Sequence, residues 1–292
     1  GTSFFFPSND NDQDLEFPEG HSNKIASLEL STAGIAAAAV SDGMVGSGLI
    51  KIEDWEETNT LKLVKLSAYL LNASTLDPVA GIGDILIVQD FNEPRAKNLV
   101  VTSYNGQLIA RRLNDSEDEA DVVVLTSQST DPYAIRAPVI VPRSSISPRK
   151  IIGTIFMSKS MLAGGVASQE VCKIENFGLV EECLKKSELF EVQGRSMEPI
   201  ALDGQHVITV SVEVCHSSVS ALNGELAIAI DVDGGVYFKR LRLHGDLVVL
   251  ESANSSNHTT SEILSLADET KHKRLIGLRS VIGVLFDLPT QP

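Results

Sequence analysis

Runs of five to eight apolar residues, rich in Val, Ile and Leu and bounded by Gly, Asn, Asp and Pro, recur along most of this chain. Examples are GDILIVQDF (83–91), NLVVTSY (98–104), QLIARRL (107–113), DVVVLTS (121–127), ELAIAIDV (225–232), GVYFKRLRL (235–243) and LVVLES (247–252). Short apolar runs separated by turn formers predict β-strands joined by tight connections. Helical spacing is rarer. Its clearest instance is FGLVEECLKKSE (177–188), where Leu179, Val180, Cys183 and Leu184 share one helical face. The expected fold is mainly β, of strongly bent sheets with few short helices.

The pattern also repeats. STLDPVAGIGDILIV can be laid on RSMEPIALDGQHVITV with an offset of 121, which puts Thr75 on Ser196, Pro78 on Pro199 and Gly83 on Gly204. IARRL then falls on YFKRL, so that Arg111 takes the place of Lys239. VVVLTS falls on LVVLES, and IIGTIF falls on VIGVLF at an offset of 130. A drift of this size is what surface-loop insertions between shared strands produce. Two tandem domains are therefore expected, at 29–158 and 159–292, each long enough for its own core. Residues 1–28 are polar and acidic with scattered Phe and Pro, and read as a linker or loose arm.

Candidate chemistry lies in the second copy. Ser196 stands in the turn-like GRSMEP, and Lys239 in an alternating apolar stretch after Val236, Tyr237 and Phe238. A serine hydroxyl attacks well only when a neighbouring group takes its proton, and a lysine amine does so only when burial keeps it neutral. The pair reads as nucleophile and general base, a known variant of the triad logic. The bland alternative is a turn serine and a strand lysine.

These motifs resemble those of the LexA, phage-repressor and UmuD group of self-cleaving Ser-Lys peptidases, whose fold is shared with signal peptidases. GRSMEPIALDGQHVITV resembles the family's G-x-S-M-x-P block, VYFKRLRLHGDLVVLESAN its lysine strand and the next strand, and VIGVLF its closing strand. Gln205 departs from the acid usual after the turn glycine. The resemblance implies an oxyanion hole from the backbone N–H groups of Arg195 and Ser196. It also implies a cut at a small-residue bond, for which Ala163-Gly164, 33 residues before Ser196, is the candidate. By the same resemblance the chain is the C-terminal part of a cytoplasmic, repressor-type transcriptional regulator that inactivates itself on a stress signal. DNA would be bound through a helix-turn-helix domain outside this sequence, terminal strands would pair two subunits into a homodimer, and a RecA-type filament is a possible trigger. The second reading keeps the domains as sensing or dimerisation modules with an unused dyad.

The first copy is expected to be inert. A guanidinium stays protonated at ordinary pH and cannot act as general base, so Thr75 beside Arg111 lacks an activator. Ala33-Gly34 matches Ala163-Gly164 at an offset of 130, as a relic or as a bond cut in trans by the second domain. A net charge of −15 argues against nucleic-acid binding by this portion, and the one basic cluster, Lys271-His272-Lys273-Arg274, reads as a solvated loop. The acidic run from Asp115 to Asp121 reads as an exposed hairpin loop. Cys172, Cys183 and Cys215 form no C-x-x-C pair and are expected to be reduced. No cofactor, metal or membrane segment is called for by the motifs. Trp55 is expected to pack at the edge of the first copy.

Overall fold

The computed structural model describes residues 48–52, 66–90, 93–116, 119–129, 132–133, 135–156, 169–175, 180, 184, 186–254, 261–267 and 271–288. The described chain is mainly antiparallel β-sheet. Its first eight strands are β1 (Gly48–Ile52), β2 (Leu66–Leu71), β3 (Ile85–Gln89), β4 (Leu99–Tyr104), β5 (Gln107–Asp115), β6 (Val122–Thr126), β7 (Val139–Pro142) and β8 (Arg149–Ile155). The second eight are β9 (Val171–Ile174), β10 (Glu188–Gln193), β11 (His206–Val212), β12 (Leu226–Asp231), β13 (Val236–His244), β14 (Leu247–Glu251), β15 (Glu262–Ser265) and β16 (Lys273–Leu285). A short helix, α1 (His216–Ala221), lies between β11 and β12. Val180 and Leu184 of the expected helix are helical and buried.

Strand order explains why the sequence pattern repeats. The path β2-β3-β8-β4-β5-β6-β7 of the first half recurs as β10-β11-β16-β12-β13-β14-β15 in the second. Burial follows position in that path. β4 and β12 open with four buried residues in a row, whereas β6 and β14 alternate buried and half-buried positions because one face is covered less. Hairpins close with residues suited to positive φ. Asn105 and Gly106, at φ 50° and 75°, form the two-residue loop between β4 and β5. β5 and β6 pair antiparallel across the acidic run, whose Asp115 accepts a contact from Arg143.

Three pairings cross between the halves. β1 pairs with β10 of the second half, and β9 pairs with β2 of the first, so each half lends its leading strand to the other. The closing strands β8 and β16 pair with each other, Gly283 opposite Ile155 and Leu285 opposite Gly153. The closing strands of the two halves thus meet inside one chain. Ala68, Ile87, Ile152 and Ile155 of the first half pack with Leu189, Ile208 and Leu285 of the second in one buried cluster over this seam. Each half keeps a further core, around Tyr69, Leu76 and Val101 in the first and Phe190, Met197 and Phe238 in the second.

Two glycines make the seam possible. A Cβ on Gly153 would sit 2.7 Å from the Val284 carbonyl oxygen, and one on Gly283 would overlap the Thr154 carbonyl oxygen. Backbone atoms held in a ladder cannot move aside, so added carbon is strain that the seam cannot relax. Gly283→Ala is expected to lower unfolding free energy by at least about 2 kcal/mol in urea denaturation. Gly81→Ala, whose Cβ would meet only Asp84 at 3.6 Å, is expected to stay within about 0.5 kcal/mol of wild type.

Candidate functional site

Ser196 follows directly from β10. Gly194, at φ 93°, turns the chain out of the strand, and its N–H donates to Asp203 Oδ1 at 2.7 Å. Met197 then drops into the core of the second half, and its carbonyl accepts the N–H groups of Ile200 and Ala201. The apolar anchor and these bonds fix the turn that carries Ser196. Gln205 shapes the same loop, since its Oε1 accepts the Leu202 N–H at 2.8 Å and its own N–H returns to the Leu202 carbonyl. An amide thus does here what an acid's oxygen would do. Ser196 is 1% exposed, and its Oγ has no hydrogen-bond partner.

Lys239 lies in the middle of β13, opposite Ala227 of β12 and next to the fully buried Phe238. It is 4% exposed. Desolvation pushes its amine below the ordinary lysine range, and the charge of Glu262 partly opposes that shift. Burial thus makes the neutral amine easier to reach than in an exposed lysine.

The turn leaving β14 ties the two residues together. Lys239 Nζ donates to Ser252 Oγ at 3.0 Å. Two residues on, the Asn254 N–H donates to the Ser196 carbonyl at 2.9 Å and its Nδ2 to the Arg195 carbonyl at 2.8 Å. One short segment thus holds the amine with one side chain and the serine turn with another. The serine hydroxyl itself has no hydrogen-bond partner, Lys239 included. Arg195 itself points outward and pairs with Glu198. Neither Ser252 nor Asn254 stood out in the sequence, because serine and asparagine after a strand read as ordinary turn residues.

The first half has the same frame and a different content. Thr75 and Arg111 are 1% and 4% exposed, and the Gln128 N–H donates to the Thr75 carbonyl at 2.6 Å, as Asn254 does to Ser196. Between them stands Glu170, the residue before β9. Its carboxylate is gripped by both terminal nitrogens of Arg111, accepts Thr75 Oγ1 at 3.1 Å and takes the Ala110 N–H at 3.0 Å. The pocket is closed by a buried ion pair. Glu170 was invisible in the sequence, since it arrives from a point 95 residues beyond Thr75 on a strand lent by the other half.

The remaining expectations divide. Ala163-Gly164, Ala33-Gly34, Cys183 and Trp55 lie outside the described residues. Cys172 and Cys215 are free thiols. The basic cluster is exposed, with Lys271 and His272 ahead of the strand, but Lys273 opens β16 and pairs with the fully buried Asp231 and with Asp233. Asp231 needs that cation because it is buried, and Tyr237 Oη together with the N–H groups of Asp233 and Gly235 completes its shell. Among the described residues no helix is long and apolar enough to cross a membrane, and no group of three or more His, Cys, Asp or Glu side chains could hold a metal ion.

Removing one partner from a buried pair leaves an uncompensated charge. Glu170→Ala is therefore expected to cost about 3 kcal/mol in urea denaturation, and adding Arg111→Met is expected to restore most of the loss.

Residues 157–273, which include both Ser196 and Lys239, match the family model described as Peptidase S24-like. Neither the curated proteins nor the solved structures compared with the chain gave a match. The family match supports a LexA-like peptidase affiliation for this part of the chain, and with it a peptide-hydrolysing kind of activity.

Proposed function

We propose that this protein is a regulator of the repressor type that cuts its own chain with the Ser196–Lys239 dyad, the first half being a tandem copy without chemistry. The observation that carries this reading is the burial of Lys239, which lowers its pKa and makes a lysine usable as a base. Ser196 Oγ attacks the carbonyl carbon of the scissile bond while neutral Lys239 takes the hydroxyl proton. The resulting oxyanion faces the backbone N–H groups of Arg195 and Ser196 assigned by the family resemblance. Lys239 then passes its proton to the departing amine, which leaves an ester on Ser196. Water, deprotonated by Lys239, attacks that ester and releases the new carboxylate.

Ser252 is a positioning residue in this scheme. It holds Nζ in the site through the 3.0 Å hydrogen bond to its Oγ.

Incubation of the purified protein across a pH series tests the reading. Only the unprotonated amine accepts the serine proton, so cutting should accelerate as pH rises, with an inflection below the ordinary lysine value of 10.5. Ser196→Ala and Lys239→Arg should remain intact at every pH, because one lacks the nucleophile and the other cannot lose its proton. Undiminished cutting by Lys239→Arg would refute the base assignment. Intact wild-type protein throughout the series would favour the second reading, a sensing or dimerisation module with an unused dyad.

Ser252→Ala should reduce the cutting rate by about tenfold and shift the inflection of the pH profile, since a general base typically contributes a hundredfold or more and is here only misplaced. A rate and inflection equal to wild type would show that Ser252 plays no part.

A further inference from the structure

A cavity of about 360 Å³ lies where the two halves meet. Gln89 and Lys150 line it from the first half, and Gly204, His206, Phe286, Asp287 and Leu288 from the second. Its walls rest on paired backbone. Gln89 stands opposite Lys150 where β3 meets β8, and His206 stands opposite Leu285, which in turn faces Gly153 of β8. The Phe286 and Asp287 N–H groups donate to the Ile152 carbonyl at 2.7 and 3.3 Å, which holds the chain after β16 against the first half.

The polar groups of this cavity are not demanded by the frame. At the offsets of the repeat, His206 matches Ile85, Gln89 matches Val210 and Lys150 matches Ser280, so the same positions fold with an isoleucine, a valine and a serine. His206 is 8% exposed and its Nδ1 has no hydrogen-bond partner, a state that costs free energy until a partner arrives. Desolvation pushes the imidazole below the ordinary histidine range against the opposing charge of Glu191, so the ring is neutral at neutral pH. Lys150 Nζ lies 2.8 Å from Asp287 Oδ2, and an ammonium has three N–H donors, so two remain for another acceptor. The Asp287 side chain is half exposed and can accept from a second cation. Phe286 packs against the cores of both halves and gives the cavity an apolar wall.

We propose that this cavity binds a free α-amino acid with an apolar side chain, its carboxylate on Lys150 Nζ and His206 Nδ1, its ammonium on Asp287 and its side chain against Phe286 and Leu288. One cation, one carboxylate and a neutral ring match a zwitterion of zero net charge. A plain carboxylic acid would add a second negative charge beside Asp287 and a plain amine a second positive one beside Lys150, whereas a zwitterion keeps the cavity neutral. The volume is at the small end of ligand pockets, which suits an amino acid rather than a peptide. Neither Ser196 nor Lys239 lines the cavity, so the proposal stands apart from the peptidase reading. Gly204 belongs to the loop whose Asp203 holds Gly194 before the serine, so a ligand here touches the support of that turn.

Titration of the full chain with L-phenylalanine tests the proposal, read by calorimetry and by the imidazole NMR signal that is missing from His206→Gln protein. Saturable binding with a Kd of about 1 mM or tighter is expected, together with a shift of the His206 signal. Lys150→Met should weaken binding at least about tenfold, as should phenylalaninamide in place of the amino acid, because each removes a charged partner from a hydrogen bond. N-acetylphenylalanine should also bind wild-type protein at least about tenfold more weakly, a difference that Asp287→Asn should abolish. No saturable binding, or an unmoved His206 signal, overturns the proposal. Binding that Lys150→Met leaves unchanged lies elsewhere and overturns it too. Equal affinity for N-acetylphenylalanine refutes the amino-acid assignment. The ligand series needs only wild-type protein, so it decides even where a variant misfolds.

Discussion

The close backbone contact between β8 and β16 is the constraint on which the rest of this architecture depends. β16 pairs with β11, β12, β15 and β8, so the second half and the seam are organised around one strand of 13 residues. Such crowding is possible only where side chains are missing. Gly283 lets the Thr154 carbonyl approach, and Gly153 does the same for the Val284 carbonyl. The buried cluster of Ile87, Ile152, Ile208 and Leu285 covers the join, and apolar area removed from water there stabilises the two halves as one body.

That seam also places the lent strands. With β8 and β16 side by side, β1 and β9 pair with strands of opposite halves, and β9 brings Glu170 to the Thr75 turn. The functional asymmetry then reduces to a few positions on matching frames. Thr75 and Arg111 both bond Glu170, whereas Ser196 Oγ has no hydrogen-bond partner. A lysine tolerates burial by shedding its proton, but a guanidinium cannot, so the first site had to import a carboxylate to remain buried.

Ser196 and Lys239 are both buried: desolvation pushes the Lys239 amine below the ordinary lysine range, and Ser196 Oγ has no hydrogen-bond partner. Ser252 keeps the amine solvated by protein rather than by solvent.

The amino-acid sequence by itself determined the mainly β character, the spacing of the strands, and the residue types at positions 75, 111, 196 and 239. Those are local properties: alternation, turn formers and a motif within a few residues of its serine. The candidate pair was legible because nucleophile and base each sit inside a recognisable run. Ser252, Asn254 and Glu170 were not legible, since each acts on residues 13 to 95 positions away and carries no local signature. The pairing of Lys273 with Asp231 was not legible for the same reason, the two lying 42 residues apart. Only the tertiary structure decided which strand meets which site. Periodicity specifies that a strand has two faces, but strand exchange is chosen by edge pairing and by how closely two backbones can approach, and both are set by contacts between distant parts of the chain.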